Sequence, residues 1–203
     1  EMQDYVLLSL NKKKPLKNFI PKKIHSSINC YVDELGRSSY VRILTYIQGD
    51  IYAKTKHSSE LEISLGTLLG HLSKSLQNLG HKSSFRKFEW EPSSIDWIKD
   101  YIYLFKNNQK KIIINCIKDY NKFVKKNKKN LRFSLTHGDA NNYNLVVNKN
   151  KIVGLLDYGD MIFAPTINDL SISLAYALMK KENLYLSLNN IVLSYHKIFP
   201  ISF

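Results

Sequence analysis

The sequence predicts an α+β fold: a small β-containing N-terminal part followed by a mainly helical part. Three observations predict it. Residues 28–32 and 39–46 alternate in polarity around a turn at Asp33-Glu34-Leu35-Gly36, which marks a strand pair. Residues 58–78 repeat leucine at helical spacing. Two short apolar runs, Leu145-Val146-Val147 and residues 152–156, flank a polar turn at residues 148–151 and read as a hairpin.

The elements follow in order. Residues 1–10 read as the last turns of an amphipathic helix, and Asn11 opens a loop through Lys12-Lys13-Lys14-Pro15. The strand pair comes next, and Gln48-Gly49-Asp50 marks its exit. The helix over 58–78 has Ser58 or Ser59 as its cap and Leu61, Leu65, Leu68, Leu69, Leu72 and Leu76 on its core face. Gly66 and Gly70, four apart inside it, predict close packing of another helix. Gly80-His81 ends it. Residues 83–92 form a connecting loop whose Phe85, Phe88 and Trp90 are expected to anchor it on the core. Helices are predicted over 94–105 and 109–125, then over 168–180 and 184–199. A lysine-rich stretch, 125–130, precedes the hairpin region. No internal repeat is evident.

Composition narrows the function classes. A chain of 203 residues with 44% hydrophobic and 23% charged residues reads as a folded, water-compatible protein. No window approaches the length of a membrane span, and no secretory signal pattern is visible, so a cytoplasmic location is expected. Cys30 and Cys116 fit no metal or disulfide spacing. His25, His57, His71, His81 and His196 form no metal motif. The net charge of +13 comes from lysine; only Arg37, Arg42, Arg86 and Arg132 are arginines. Phosphate and guanine are commonly read by bidentate arginine. The lysines therefore read as solvated faces, and no nucleic-acid partner is expected.

The chemistry sits in His137-Gly138-Asp139-Ala140-Asn141-Asn142-Tyr143-Asn144 and in Leu155-Leu156-Asp157-Tyr158-Gly159-Asp160. Asp139 and Asn144 are five apart on a loop, and the hairpin should bring Asn144 and Asp157 to one space. Magnesium prefers oxygen ligands and takes one or two carboxylates plus phosphate oxygens and water. Asp157 offers a carboxylate and Asn144 a carbonyl oxygen. Asp139 is then free to orient an attacking hydroxyl or accept its proton. Protein kinases divide the work of phosphoryl transfer in this way. Each residue also has a plainer reading: Asp139 as a turn residue, Asn144 as a strand cap, Asp169 as a helix N-cap.

His-Gly-Asp-x-x-x-x-Asn followed by a strand-end Asp resembles the aminoglycoside phosphotransferase and choline kinase group. The 18 residues from Asp139 to Asp157 suit it. Thr136 to Asn144, Gly154 to Met161, Val41-Arg42-Ile43-Leu44-Thr45-Tyr46-Ile47-Gln48-Gly49, Ala164-Pro165 and Asn168-Asp169-Leu170 look closer still to its hydroxylysine kinase branch. The resemblance implies a protein-kinase-like fold, with residues 1–49 as a remnant of the N-lobe and hinge and 50–203 as the helical C-lobe. It implies transfer of the terminal phosphate of ATP or GTP to a hydroxylated amine, such as hydroxylysine. Asp139 would be catalytic, and Asn144 and Asp157 would hold Mg²⁺. Thr45, Tyr46, Ile47 and Leu156 would meet the nucleotide. His137 and Asp169 would support the loop, and Asp160 would either hold the turn or meet a substrate ammonium group. The sequence departs from the group in lacking a GxGxxG loop and a lysine ahead of the first helix, and Glu1 is the candidate for that helix's glutamate. The chain is therefore expected to be truncated at both ends. The alternative function is a catalytically silent module of the same fold. Oligomeric state is not readable from the sequence.

Overall fold

The core is organised by one helix that packs unusually close to another. The chain runs α1 (Met2–Asn11), β1 (Asn29–Val32), β2 (Ser38–Val41), β3 (Asp50–Ile51), α2 (Ser59–Leu76), α3 (Asn107–Asp119), β4 (Phe133–Thr136), β5 (Leu145–Asn148), β6 (Lys151–Leu155), β7 (Ile162–Pro165), α4 (Asn168–Ala177) and α5 (Leu184–Ile198), and the close pair is α2 and α5. This computed structural model describes residues 1–24, 29–179 and 181–201. His25, the strand start expected at Ile28 and the helix end expected at Lys180 lie outside the described residues.

Helix α2 begins as its sequence dictates: the Ser58 side chain accepts a hydrogen bond from the Leu61 N–H. Its six core leucines are all buried. Gly66 and Gly70 face α5. A Cβ on Gly66 would lie 2.1 Å from the Ile191 carbonyl oxygen, and one on Gly70 2.9 Å from that of Tyr195. The missing side chains are what let the two backbones approach. Glu62 locks the same contact at its other end, accepting from Lys181 Nζ (2.7 Å), Ser187 Oγ (2.6 Å) and Asn190 Nδ2 (2.9 Å).

Three small antiparallel sheets surround this core: β1-β2, β3-β5-β6 and β4-β7. The β5-β6 hairpin closes with Lys149 and Asn150 at φ 47° and 57°. That left-handed pair is the turn that suits the twist of two strands. Helix α1 is tied to the first ribbon by Asp4, which pairs with Lys23 (2.6 Å) and Arg42 (3.3 Å).

Several elements differ from expectation. The strand expected over 39–46 keeps its first partner only to Val41; Leu44 bridges back to Lys23 instead. Residues Ile95–Leu104 form 3-10 turns rather than an α-helix. No side chain there is fully buried, so the packing that usually stabilises an α-helix is missing. Helix α3 stops at Asp119 and passes into a π-turn, Tyr120–Val124, and 3-10 turns over Lys125–Asn130. Lysines at 122 and 126, and at 125 and 129, would repel at i,i+4 in a continued α-helix. Phe85 and Trp90 are not core anchors: Phe85 lies on Phe163, itself at the surface, and Trp90 is 74% exposed with its edge toward Trp97. Asp169 is not the N-cap of α4, a position held by Ile167.

Gly66→Ala should lower stability by about 2 kcal/mol, the cost of forcing packed backbones apart, and the melting temperature by about 4–8 °C. Thermal unfolding followed by circular dichroism checks this. An unchanged melting temperature would mean that α5 does not need the close approach.

Candidate active site

The hairpin register sets the first half of the site. Leu145 pairs with Leu155, and the Leu156 N–H donates to the Asn144 carbonyl at 2.8 Å. Asn144 and Leu156 are thus opposite each other, and Asp157 follows at once. Asp157 takes φ 55°, a left-handed conformation uncommon for a residue other than glycine. Its exposed side chain accepts from the Gly159 N–H at 3.1 Å, which fixes the turn.

The loop after β4 sets the other half. Asp169, buried in the first turn of α4, accepts from the backbone N–H of His137 (2.9 Å) and of Gly138 (3.0 Å). His137 is fully buried. Its Nε2 bonds to the Leu156 carbonyl at 2.9 Å, and its Nδ1 accepts from the Asp139 N–H at 3.3 Å. Nε2 therefore carries the proton. The Tyr158 ring meets the imidazole edge-on at 4.6 Å. Gly138 has φ 82°, and a Cβ there would sit 2.3 Å from the Asp160 carbonyl oxygen. Only glycine accommodates both the conformation and the approach.

The Asp139 carboxylate is held at both oxygens. Oδ1 accepts from Asn141 Nδ2 at 2.7 Å, and Oδ2 from Asn144 Nδ2 at 2.9 Å. Asn141 in turn accepts the N–H groups of Tyr143 (2.7 Å) and Asn144 (3.3 Å) through its Oδ1. Asn141 carries no sequence signal beyond being an Asx residue two positions after the key aspartate. Burial raises the Asp139 pKa, and the charges of Asp160 and Asp157 add to this against the two amides. Asp160 is half-buried and makes no side-chain hydrogen bond among the described residues.

The donor set suits a hard cation. Asn144 uses its N–H groups on Asp139, so Oδ1 is the atom it can offer outward. Asp157 adds a carboxylate. Among the described residues no group of three or more His, Cys, Asp or Glu side chains could hold a metal alone. A cation here would complete its shell with phosphate oxygens and water, as Mg²⁺ commonly does.

The four residues expected to meet a nucleotide are differently engaged. The Thr45 N–H and hydroxyl both bond to Lys22. Tyr46 is 86% exposed. The Ile47 side chain lies over Gly154, where a Cβ would be 2.9 Å from it. Leu156 has its N–H on Asn144 and its carbonyl on His137. Residues 46–48 make no loop backbone hydrogen bond among the described residues.

Comparison with known proteins places this geometry. Residues 19–186 match the family model APH, described as the phosphotransferase enzyme family. The chain belongs to that family. It is 27% identical over 178 residues to a hydroxylysine kinase of Xenopus laevis, covering 80% of this chain and 48% of the relative. It is 24% identical over 220 residues to that of Mus musculus, covering 100% and 58%. The chain spans about half the length of the curated relatives it matches. Among solved structures, an amicoumacin kinase, hAmiN, in complex with AMP-PNP, Ca²⁺ and Ami superposes with TM-score 0.67 at 16% identity, covering 99% of this chain and 61% of that one. Aminoglycoside phosphotransferase APH(3'')-Id from Streptomyces rimosus gives 0.60 at 12%, with 99% and 75% covered. These show that the APH-family chain has the α+β, protein-kinase-like fold.

The two buried titrating groups oppose each other. Burial pushes the Asp169 carboxyl up to about 6 from an ordinary 3.8, against its two N–H bonds. Its contribution to stability is complete below pH 3.8 and is lost as pH rises through about 6. Burial pushes His137 down to about 4 from 6.5. Its contribution is complete above pH 6.5 and is lost as pH falls through about 4. Between those limits the two contributions largely cancel each other. Asp169→Asn removes one arm, so stability should then rise by about 3 kcal/mol from pH 4 to 6.5. Urea midpoints across that range test this; a variant profile parallel to the wild type contradicts it.

Proposed function

We propose that this chain carries the catalytic half of a small-molecule kinase. It transfers the terminal phosphate of ATP or GTP to a hydroxyl of an amine-bearing acceptor, a hydroxylated amino acid such as hydroxylysine. The observation that carries the reading is the Asp139 carboxylate, pinned by the Asn141 and Asn144 amides and within electrostatic reach of Asp157. The family, and the hydroxylysine kinases among the relatives, support the acceptor class.

In this reading the acceptor hydroxyl hydrogen-bonds to Asp139. Its oxygen forms a bond to the terminal phosphorus while the bond from that phosphorus to the bridging oxygen breaks. The proton passes to Asp139, and ADP or GDP leaves. The raised pKa of Asp139 suits a base that must take up a proton. Asn144 and Asp157 are assigned to Mg²⁺, which when bound neutralises phosphate charge. His137 and Asp169 hold the loop. Because His137 is neutral and both its nitrogens are engaged, it is assigned no proton transfer. The unbonded backbone of residues 46–48 is assigned to the nucleotide base, with residues 1–49 as the smaller lobe and hinge. Asp160 is assigned to the acceptor's ammonium group, since its carboxylate neighbours Asp139 and has no other polar partner among the described residues. No helix of the described residues is long and apolar enough to cross a membrane.

Asp139→Ala should lower kcat for hydroxylysine phosphorylation by about 10²–10⁴-fold, the usual worth of a general base. Nucleotide affinity should stay within a few-fold. Steady-state assays with both nucleotides, supported by calorimetry, test this. Unchanged turnover would remove Asp139 from the mechanism.

A further inference from the structure

A loop packed beside β7 carries a cation with no ion pair among the described residues. Residues 85–94 run beside β7 and are tied at both ends. Arg86 Nη2 donates to the Met161 carbonyl at 3.4 Å, and Asn168 Nδ2 donates to Glu91 Oε1 at 2.7 Å. Phe85 packs on Phe163 with ring centroids 4.8 Å apart. The strap thus reaches from the end of the Asp157–Met161 turn to the residue before Asp169.

Arg86 differs from the other three arginines. Arg37 is held by Asp33, Arg42 by Asp4, and Arg132 by the Pro200 carbonyl. Arg86 is exposed and makes no ion pair among the described residues. Its guanidinium carbon lies 4.4 Å above the Phe88 ring, which steadies the plane. One nitrogen makes a long bond to Met161, and the remaining donors of the fork are unengaged among the described residues.

Its position is set by contacts already described. Met161 follows Asp160, whose carbonyl abuts Gly138, the neighbour of Asp139. The guanidinium is therefore tied to the end of the turn that carries Asp157 and Asp160. Three carboxylates favour an acceptor's amine and repel its carboxylate. A planar guanidinium tied to that turn offers a carboxylate two parallel hydrogen bonds. We infer that Arg86 binds the carboxylate of the acceptor, so that the site selects amino acids over amines that lack this group. The inference rests on the kinase reading above and adds a specificity-determining residue to it.

The test is calorimetric titration with 5-hydroxylysine and with its decarboxylated counterpart, a hydroxylated diamine, in the presence of Mg²⁺ and AMP-PNP. The wild type should bind the amino acid about tenfold or more tightly than the diamine, the scale of one charge-assisted pair. Arg86→Ala should abolish that preference while leaving diamine affinity unchanged. Arg86→Lys, which keeps the charge but not the fork, should retain part of it. If Arg86→Ala keeps the wild-type preference, or weakens both ligands equally, the inference is overturned while the kinase reading stands. If the wild type binds neither ligand, the acceptor class itself fails, and the inference with it.

Discussion

The site depends on one buried carboxylate. Asp169 lies in the first turn of α4 and receives the backbone N–H groups of His137 and Gly138. Leaving those donors unpaired in the interior would cost about 1–3 kcal/mol each. The arrangement instead fixes where the loop leaves β4, and everything downstream follows. His137 turns inward onto the Leu156 carbonyl, which ties the loop to the hairpin that presents Asp157. Gly138 adopts its left-handed conformation and admits the Asp160 backbone. The Asp139 side chain is then delivered to the two amides that hold it.

Charge and burial pull against each other throughout this region. Asp139, Asp157 and Asp160 lie close enough for the latter two to raise the pKa of the first. Such a cluster is unfavourable unless neighbours compensate. The Asn141 and Asn144 amides do so for Asp139 without adding charge. A cation held by Asn144 and Asp157, as proposed, would do so for the remainder. A neutral His137 at the centre avoids the cost of a second buried charge. The electrostatic pattern and the hydrogen-bond pattern agree on where positive charge belongs.

Much of this was legible in the sequence because it is local. The four-residue spacing of Gly66 and Gly70 announced a close helix contact, and α5 fills it. The polar turn at residues 148–151 announced the hairpin, even without the usual glycine. The features that escaped depend on partners remote in the chain. Arg86 and Met161 are 75 residues apart, and Glu91 and Asn168 are 77 apart. No periodicity encodes such pairings. The segment at Ile95–Leu104 misled because its apolar residues have helical spacing but no surface to be buried against. Leu44 left its expected strand because Lys23 offered a different ladder. From position alone Asp169 looked like a cap, and only the family resemblance pointed it at the loop, because sequence position cannot show that a carboxylate turns away from its own helix.

Asn144 and Asp157 are proposed to form one side of a metal–nucleotide site that Asp169 indirectly holds in place. Calorimetric titration of ATP into the chain, with and without Mg²⁺, tests it most directly when repeated with Asp157→Ala. Mg²⁺-dependent binding that the substitution weakens by about tenfold or more, the loss of one charged ligand, is expected. Binding that is indifferent to Mg²⁺, or that survives Asp157→Ala at full strength, would contradict it.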